Sequence, residues 1–265
     1  MIYEARIMNF EEDIGNCADL VRRGDHDRFL AIMSAPVKER GALFVIFAFN
    51  LEVVRAPWVT KEPMISEMRL QWWIDSIDEI FEGKTIRKHE VITPLAKLIK
   101  QKNLPKKLFI ELINARRWDI YKKPHDHAYA FDDYIMATSG NLMALACLAV
   151  GMPFSDINSA KEYGYGDGIA RLFVAIPILE KNNRYPLVNG TENAVSSLAN
   201  TALNKMKSVV FSDKSAIPAL RIAWLSEGIL IKVEKNPKSV ILGIFYPSEF
   251  VKKLLLFSKV IKRTF

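Results

Sequence analysis

Carboxylates and imidazoles offer the first candidate chemistry in this 265-residue chain. Asp75, Asp78, Glu79 and Glu82 fall at i, i+3, i+4 and i+7, which places all four on one face if the segment is helical. Such a face could gather a divalent ion. Mg²⁺ wants a nearly octahedral oxygen shell that adjacent exposed carboxylates rarely complete, so a solvated acidic face is the competing reading. Asp132-Asp133 offers a similar pair near the start of a helix, where the helix dipole favours acids without any ligand role. His125-Asp126-His127 sets two imidazoles in a turn, but no third zinc ligand is identifiable, and surface turn residues are expected there. No Gly-x-Ser-x-Gly or Cys–His pattern marks a covalent nucleophile. Gly164, Gly166 and Gly168 follow no strand and do not make a nucleotide fingerprint; close helix packing or a kink is the expectation.

The elements that must position these groups all read as helices. Between Ala42 and Leu51 nearly every residue is apolar, so this helix must lie inside a bundle. After Pro57 and Pro63 comes an amphipathic helix whose stripe reads Met64, Ile65, Met68, Trp72, Ile77, Ile80 and Phe81. In a core reading Trp72 packs inside, Trp73 fills the bundle edge and Arg69 pairs with a carboxylate; in a partner reading Trp73 and Arg69 are interface anchors. Flanking segments at 10–23 and 27–34 are short helices stopped at Gly24 and Pro36. Thr93-Pro94 and Leu104-Pro105 open two more, Pro being well placed in a first helical turn. A long helix over 126–150 ends at Gly151-Met152-Pro153, another runs from Ser155 or Asp156 to about Leu179, and further helical patterns cover 191–210, 219–233 and 247–265. No run of alternating strand residues is present, so the expected fold is all-α, a single domain over 1–265 with no linker dividing it.

Composition narrows the setting. Half the residues are hydrophobic and a quarter charged, which suits a substantial core. The longest apolar run, near Leu142 to Met152, falls short of the ~20 residues a membrane span needs. No basic, apolar, small-residue leader is legible, and Cys17 and Cys147 lack metal spacing and read as packed thiols, so a cytoplasmic chain is expected. Of the net charge of +7, most lies in residues 231–265, where eight Lys or Arg face two Glu. In the last helical pattern Phe250, Leu254, Phe257 and Ile261 alternate with Lys252, Lys253, Lys259, Lys262 and Arg263. These five basic residues are candidates for contact with an anionic surface on the inner face of a membrane. A terminal helix docked by its apolar stripe is the alternative. No nucleic-acid module accompanies the charge, so nucleic acid is not an expected partner.

A set of ordered motifs adds a resemblance. Asp27-Arg28-Phe29-Leu30, Ser34-Ala35-Pro36, Arg40, Phe47-Ala48-Phe49-Asn50 and Arg69-Leu70-Gln71-Trp72-Trp73, continued through 134–151 and 164–185, resemble the squalene/phytoene synthase family over about two thirds of the chain. The likeness is nearest to a divergent branch that includes a mitochondrial complex I assembly factor. It implies a helical bundle of the isoprenoid synthase type around a central apolar cavity.

The family joins two prenyl diphosphates head to head, with Mg²⁺ held by two Asp pairs on facing helices to stabilise the leaving diphosphate. Carried over residue by residue, the resemblance puts the first pair at Val54 and Trp58, a diphosphate-binding Arg at Leu51, and the second pair at Ala175 and Leu179. A family Gln and Asn fall at Gly168 and Arg171. None of the four Asp positions carries an oxygen donor. Asn50, Glu52, Arg55, Tyr134, Asp167 and Arg171 are therefore the ligand-pocket candidates, Tyr134 resembling a cavity-lining family tyrosine; no catalytic residue and no metal ligand is assigned. The expected function is a divergent family member, without a cofactor, that binds an isoprenoid-like lipid or a protein partner and assists respiratory complex assembly. The alternative is an active Mg²⁺-dependent prenyltransferase acting on two prenyl diphosphates.

Overall fold

The computed structural model describes residues 2–265 except 122 and 244, with side chains described from residue 13 onward. Among the described residues every regular element is a helix. In chain order they are α1 (Ile2–Gly24), α2 (His26–Met33), α3 (Val37–Arg55), α4 (Pro63–Phe81), α5 (Ile92–Lys102), α6 (Lys106–Ala115), α7 (Trp118–Tyr121), α8 (Ala128–Ile135), α9 (Asn141–Ala149), α10 (Ile157–Lys181), α11 (Glu192–Ser208), α12 (Ile217–Leu220), α13 (Ser226–Lys235), α14 (Ser239–Leu242) and α15 (Glu249–Ile261). Short 3₁₀ turns follow α3, precede α10 and lie between α12 and α13.

The inner layer is α3, α9 and α10, and local chemistry sets its helices. Seven successive residues of α3, Leu43 to Phe49, are buried, because α1, α2, α5 and α9 all pack against it. The stretch from Val37 to Trp58 is also the one segment among the described residues long and apolar enough to cross a membrane, but 61% of its most apolar window is buried inside the bundle. It is therefore α3, not the run near Leu142, that most nearly has spanning character, and neighbouring helices cover it.

The helix expected over 126–150 is present with an inserted π turn at Met136–Gly140 between α8 and α9. Asp25 caps α2 by accepting the Arg28 N–H at 3.0 Å, and His127 caps α8 by accepting the Ala130 N–H at 3.2 Å. The π turn sits where α10 crosses, and glycines make the crossing close. A Cβ on Gly164 would stand 2.6 Å from the Ser139 carbonyl oxygen and the Met143 Cβ, and one on Gly168 would stand 2.6 Å from Ser139 Cβ. Gly166, on another side of α10, meets Met206 of α11 in the same manner. Close packing, one of the two expectations for this glycine set, is what these positions show.

Two expectations need correction. The core face of α4 is Ser66, Leu70, Trp73, Ile77 and Ile80, whereas Met64 is 75% and Met68 65% exposed. The two indoles exchange roles: Trp73 is buried and meets Phe49 edge-on at 5.5 Å, while Trp72 is half-buried at the rim. The rows 66–70–77 and 73–77–80 step by three, four or seven, so a face one residue's rotation away from the expected stripe has equal helical periodicity, and packing against α6 and the 3₁₀ turn after α3, with Phe49 against Trp73, selects it. The helix expected over 219–233 is also broken, with α12 and a 3₁₀ turn at Arg221–Ala223 ahead of α13.

Candidate functional site

A cavity of about 310 Å³ opens between α3, the α8–π–α9 helix and α10, closed at its ends by α2 and by the α6–α7 region. That volume lies at the small end of the range of roughly 300–1,000 Å³ usual for ligand sites. Its side walls are apolar: Leu51, Val54 and Trp58 on the α3 side, Leu172, Ala175 and Leu179 on α10, and Phe131, Ile135 and Leu142 between them. All seven positions that the family resemblance marked, Leu51, Val54, Trp58, Gly168, Arg171, Ala175 and Leu179, line this one cavity. The expected central cavity is there. Of its charged ends, only Asp167, Arg171 and Tyr134 were among the expected pocket residues.

At one end, Arg28 and Arg171 share two carboxylates. The Arg171 Nε lies 3.1 and 3.0 Å from the two Asp167 oxygens, and its Nη1 is 3.1 Å from Asp25 Oδ2. Arg28 Nη2 donates to Asp167 Oδ2 at 3.2 Å, and the Ser226 hydroxyl donates to Asp167 Oδ1 at 2.6 Å. Burial pushes the pKa of both carboxyls up, but Arg171 and Arg28 outweigh it, so both are held below the usual carboxylate range. Two cations meet two anions at this end, and the charge closes on itself.

The other end is positive. Arg116 Nη1 donates to the Tyr134 hydroxyl oxygen at 2.6 Å and to Asp119 Oδ2 at 3.2 Å, and Tyr134 donates in turn to Asp119 Oδ1 at 2.9 Å. Arg184 is buried, donates to the Asp119 backbone carbonyl, and lies over the Trp58 ring with 4.0 Å from guanidinium carbon to ring centre. No carboxylate pairs with Arg184 among the described residues. Burial lowers its pKa, a sign that its charge is poorly compensated. The Nε atoms of both Arg116 and Arg184 are buried without a hydrogen-bond partner, as is Asn50 Oδ1. His125 is not a surface turn residue: it is buried, lines the cavity, and stacks on Trp118 at 4.0 Å and 7°. Burial lowers its pKa against the pull of Asp119 and Asp126, favouring the neutral ring.

Of the ligand-pocket candidates, Asn50, Tyr134 and Arg171 line the cavity, and Asp167 stands directly behind, bonded to Arg28 and Arg171. Glu52 and Arg55 do not join them. They pair with each other at 3.3 Å beside a separate surface hollow with Arg69, Trp72, Trp73 and His89, on the side of α3 turned away from the cavity. Asp25, Arg28, Asp119 and Arg184 were not among the candidates. Arg28 and Arg184 lay within quoted motifs, but nothing local told an inward arginine from a surface one. In the tail, Lys253, Lys262 and Arg263 are exposed, whereas the Lys252 ammonium is buried 2.6 Å from Asp27 and Lys259 donates to the Phe265 carbonyl at 2.9 Å. The α4 acids each have their own donor: Gln71 for Asp75, Lys106 for Asp78, Arg87 for Glu79 and Lys84 for Glu82. Asp132 accepts from the Tyr165 hydroxyl at 2.5 Å.

The donor set can be tested against the Mg²⁺–diphosphate cluster that the resemblance implies. Val54, Trp58, Ala175 and Leu179 face the cavity with no oxygen to give, and the carboxylates nearby, Asp25, Asp119 and Asp167, are each engaged by arginine. Among the described residues no three His, Cys, Asp or Glu side chains converge as a cation site. Mg²⁺ takes six oxygens in near-octahedral array, and these residues do not fit it. They fit an anion held by guanidinium groups.

Comparisons with known proteins agree with this architecture. The fold matches a dehydrosqualene synthase solved with a ligand at a TM-score of 0.80 and 15% identity, covering 96% of this chain and 97% of that one. It also matches squalene synthase HpnC from Alicyclobacillus acidocaldarius at 0.64 and 14%, covering 97% and 96%. In sequence, the chain is 31% identical over 175 residues to the Drosophila melanogaster "NADH dehydrogenase (ubiquinone) complex I, assembly factor 6 homolog", covering 62% of this chain and 50% of that protein. With the human "NADH dehydrogenase (ubiquinone) complex I, assembly factor 6" it shares 24% over 164 residues, covering 61% and 48%. The chain thus spans about half the length of these curated relatives. The squalene/phytoene synthase pattern matches residues 21–187, more than half the chain, and on that match the chain belongs to the squalene/phytoene synthase family.

Proposed function

We propose that this chain is a divergent squalene/phytoene synthase that holds an isoprenoid-like lipid by an anionic head without ionising it, and serves a protein assembly rather than prenyl transfer. One observation carries the reading: the four positions the resemblance gives to magnesium-binding aspartates line a single cavity as Val54, Trp58, Ala175 and Leu179. Allylic ionisation leaves concentrated charge on the departing diphosphate, and an apolar wall cannot stabilise it. Arg116 and Arg184 stand ready for a phosphate or carboxylate at the far end, and the apolar walls suit a branched hydrocarbon chain. The names of the sequence relatives support the assembly role, with a respiratory complex I intermediate as the partner class.

The deciding experiment incubates the pure protein with farnesyl and geranylgeranyl diphosphates and Mg²⁺, following pyrophosphate release. Parallel thermal-shift titrations use farnesyl phosphate, farnesol and inorganic phosphate. The expected result is no release above the protein-free background, with stabilisation by farnesyl phosphate exceeding that by either half alone. Release that EDTA abolishes would overturn the reading in favour of a head-to-head prenyltransferase. Stabilisation by inorganic phosphate equal to that by farnesyl phosphate would remove the lipid from the proposal.

A further inference from the structure

The helix α15 is docked with its largest apolar side chains outward. Phe250, Leu254, Phe257 and Ile261 follow one another at steps of four, three and four, which is one face of a helix, and they are 76, 56, 60 and 65% exposed. The inward face instead carries Lys252 and Leu256. Lys252 places its ammonium 2.6 Å from Asp27 of α2 and 2.9 Å from Glu249, over the Tyr246 ring at 4.9 Å. A surface helix that only completed the fold would turn the other way, burying the phenylalanines and leaving the lysines in water. The ion pair to Asp27 holds α15 in this orientation.

We infer that the outward face of α15 is a docking surface for an anionic lipid bilayer, with Phe250, Leu254, Phe257 and Ile261 entering the interface and Lys253, Lys262 and Arg263 meeting the headgroups. Charge selects this occupant. The exposed charges flanking the stripe are three cations, Lys253, Lys262 and Arg263, against one acid, Glu249 at the helix start, which stays exposed while its carboxylate pairs with Lys252. An apolar stripe rimmed by basic residues is the pattern of helices that lie in the plane of an anionic membrane surface. Only three of the five basic residues in this helix and its end take part, since Lys252 and Lys259 point to protein acceptors. This inference stands apart from the cavity, and either can fail without the other.

The test is flotation of the full chain with vesicles of phosphatidylcholine alone and of phosphatidylcholine mixed with phosphatidylglycerol, at low and at high salt. The chain is expected to float with the mixed vesicles and to bind neutral ones far more weakly. Replacing Lys253, Lys262 and Arg263 by Gln is expected to weaken binding to mixed vesicles about a hundredfold, at about fivefold for each charge removed. Replacing Phe250, Leu254, Phe257 and Ile261 by Ser is expected to abolish flotation while leaving the far-ultraviolet circular dichroism unchanged, because these side chains are already in water. Failure of the unmodified chain to float, or equal flotation of the serine variant, would overturn the inference. So would a dimer in size-exclusion chromatography that the serine variant dissolves, which would assign the face to a second copy of the chain.

Discussion

Arg184 rests on Trp58, its guanidinium carbon 4.0 Å from the ring centre, at the place where the family resemblance calls for a metal-binding aspartate. An aspartate there would face cavity and metal; the indole faces a cation directly. Stacking on an aromatic ring satisfies part of a guanidinium's charge without neutralising it, so Arg184 keeps an unpaired Nε for an incoming anion. Arg184→Gln is therefore expected to weaken farnesyl phosphate binding roughly tenfold to a hundredfold, the range of one charge-assisted hydrogen bond. Farnesol, which offers no charge, is expected to bind within about twofold of the unmodified protein. Calorimetric titration of both ligands checks this, and an equal loss for the two would mean that the substitution had only disturbed the fold.

Asp167, itself buried, accepts hydrogen bonds from Arg171, Arg28 and Ser226. Removing its charge leaves the buried Arg28 and the half-buried Arg171 with Asp25 alone between them, which is expected to cost about 3 kcal/mol for Asp167→Asn. The pH dependence has a definite sign. Both Asp25 and Asp167 titrate below their ordinary values in the fold, so their contribution is complete above about pH 4 and disappears as pH falls through the depressed values. Urea unfolding from pH 7 downward is expected to show the gap between the unmodified protein and Asp167→Asn narrowing below about pH 4. A gap that stayed constant would show that the carboxylate is not ionised in the fold.

His125 acts in a different window. Buried against Trp118, it prefers its neutral form and titrates below the usual histidine value. Its contribution is complete above about pH 6.5 and is lost as pH falls through the lowered value, because the unfolded chain takes up the proton first. Replacing it with Phe keeps a flat ring on Trp118 without a proton to gain. That variant is expected to lose less stability than the unmodified protein between pH 7.5 and 5, in thermal melts recorded across that interval.

Short-range signals made the helical class legible, and the family resemblance marked the cavity walls. Apolar periodicity and proline punctuation place helices, and the motif order through Asn50, Gly164 and Arg184 fixes which of them face each other. The arginine ends were not legible, since Arg171 reaches Asp25 across 146 positions and Arg28 reaches Asp167 across 139. Helical periodicity reports that a face exists without always saying which of two adjacent faces is buried. Trp72 and Trp73 differ by one residue, and only contact with Phe49 decides that Trp73 goes inward. The tail misled in the same way. Lys252 is a surface residue by type, and its pairing with Asp27 of α2 could not be read locally. Glu52 and Arg55 followed from proximity to the marked positions along α3, whereas an α-helix turns neighbours one or two residues away toward other surroundings.

The glycines of α10 give the packing claim a sharp contrast. An Ala at 164 would gain up to about 1 kcal/mol in helix propensity over Gly. Its Cβ would, however, lie 2.6 Å from the Ser139 carbonyl oxygen and 3.0 Å from the Gly140 Cα, both backbone atoms of the π turn that cannot swing aside. Overpacking of a close crossing costs about 1–3 kcal/mol and here is expected to exceed the propensity gain, so Gly164→Ala should lower the melting temperature. Gly228, in α13, meets no atom within 4 Å at the same test position. Gly228→Ala should leave stability unchanged or raise it by up to about 1 kcal/mol, with no steric term to oppose it. Melting both variants beside the unmodified protein measures whether α10 truly crosses the π turn at backbone contact. Equal, small effects at the two sites would mean that the crossing is looser than these distances and that the cavity wall beside Ser139 has room to move.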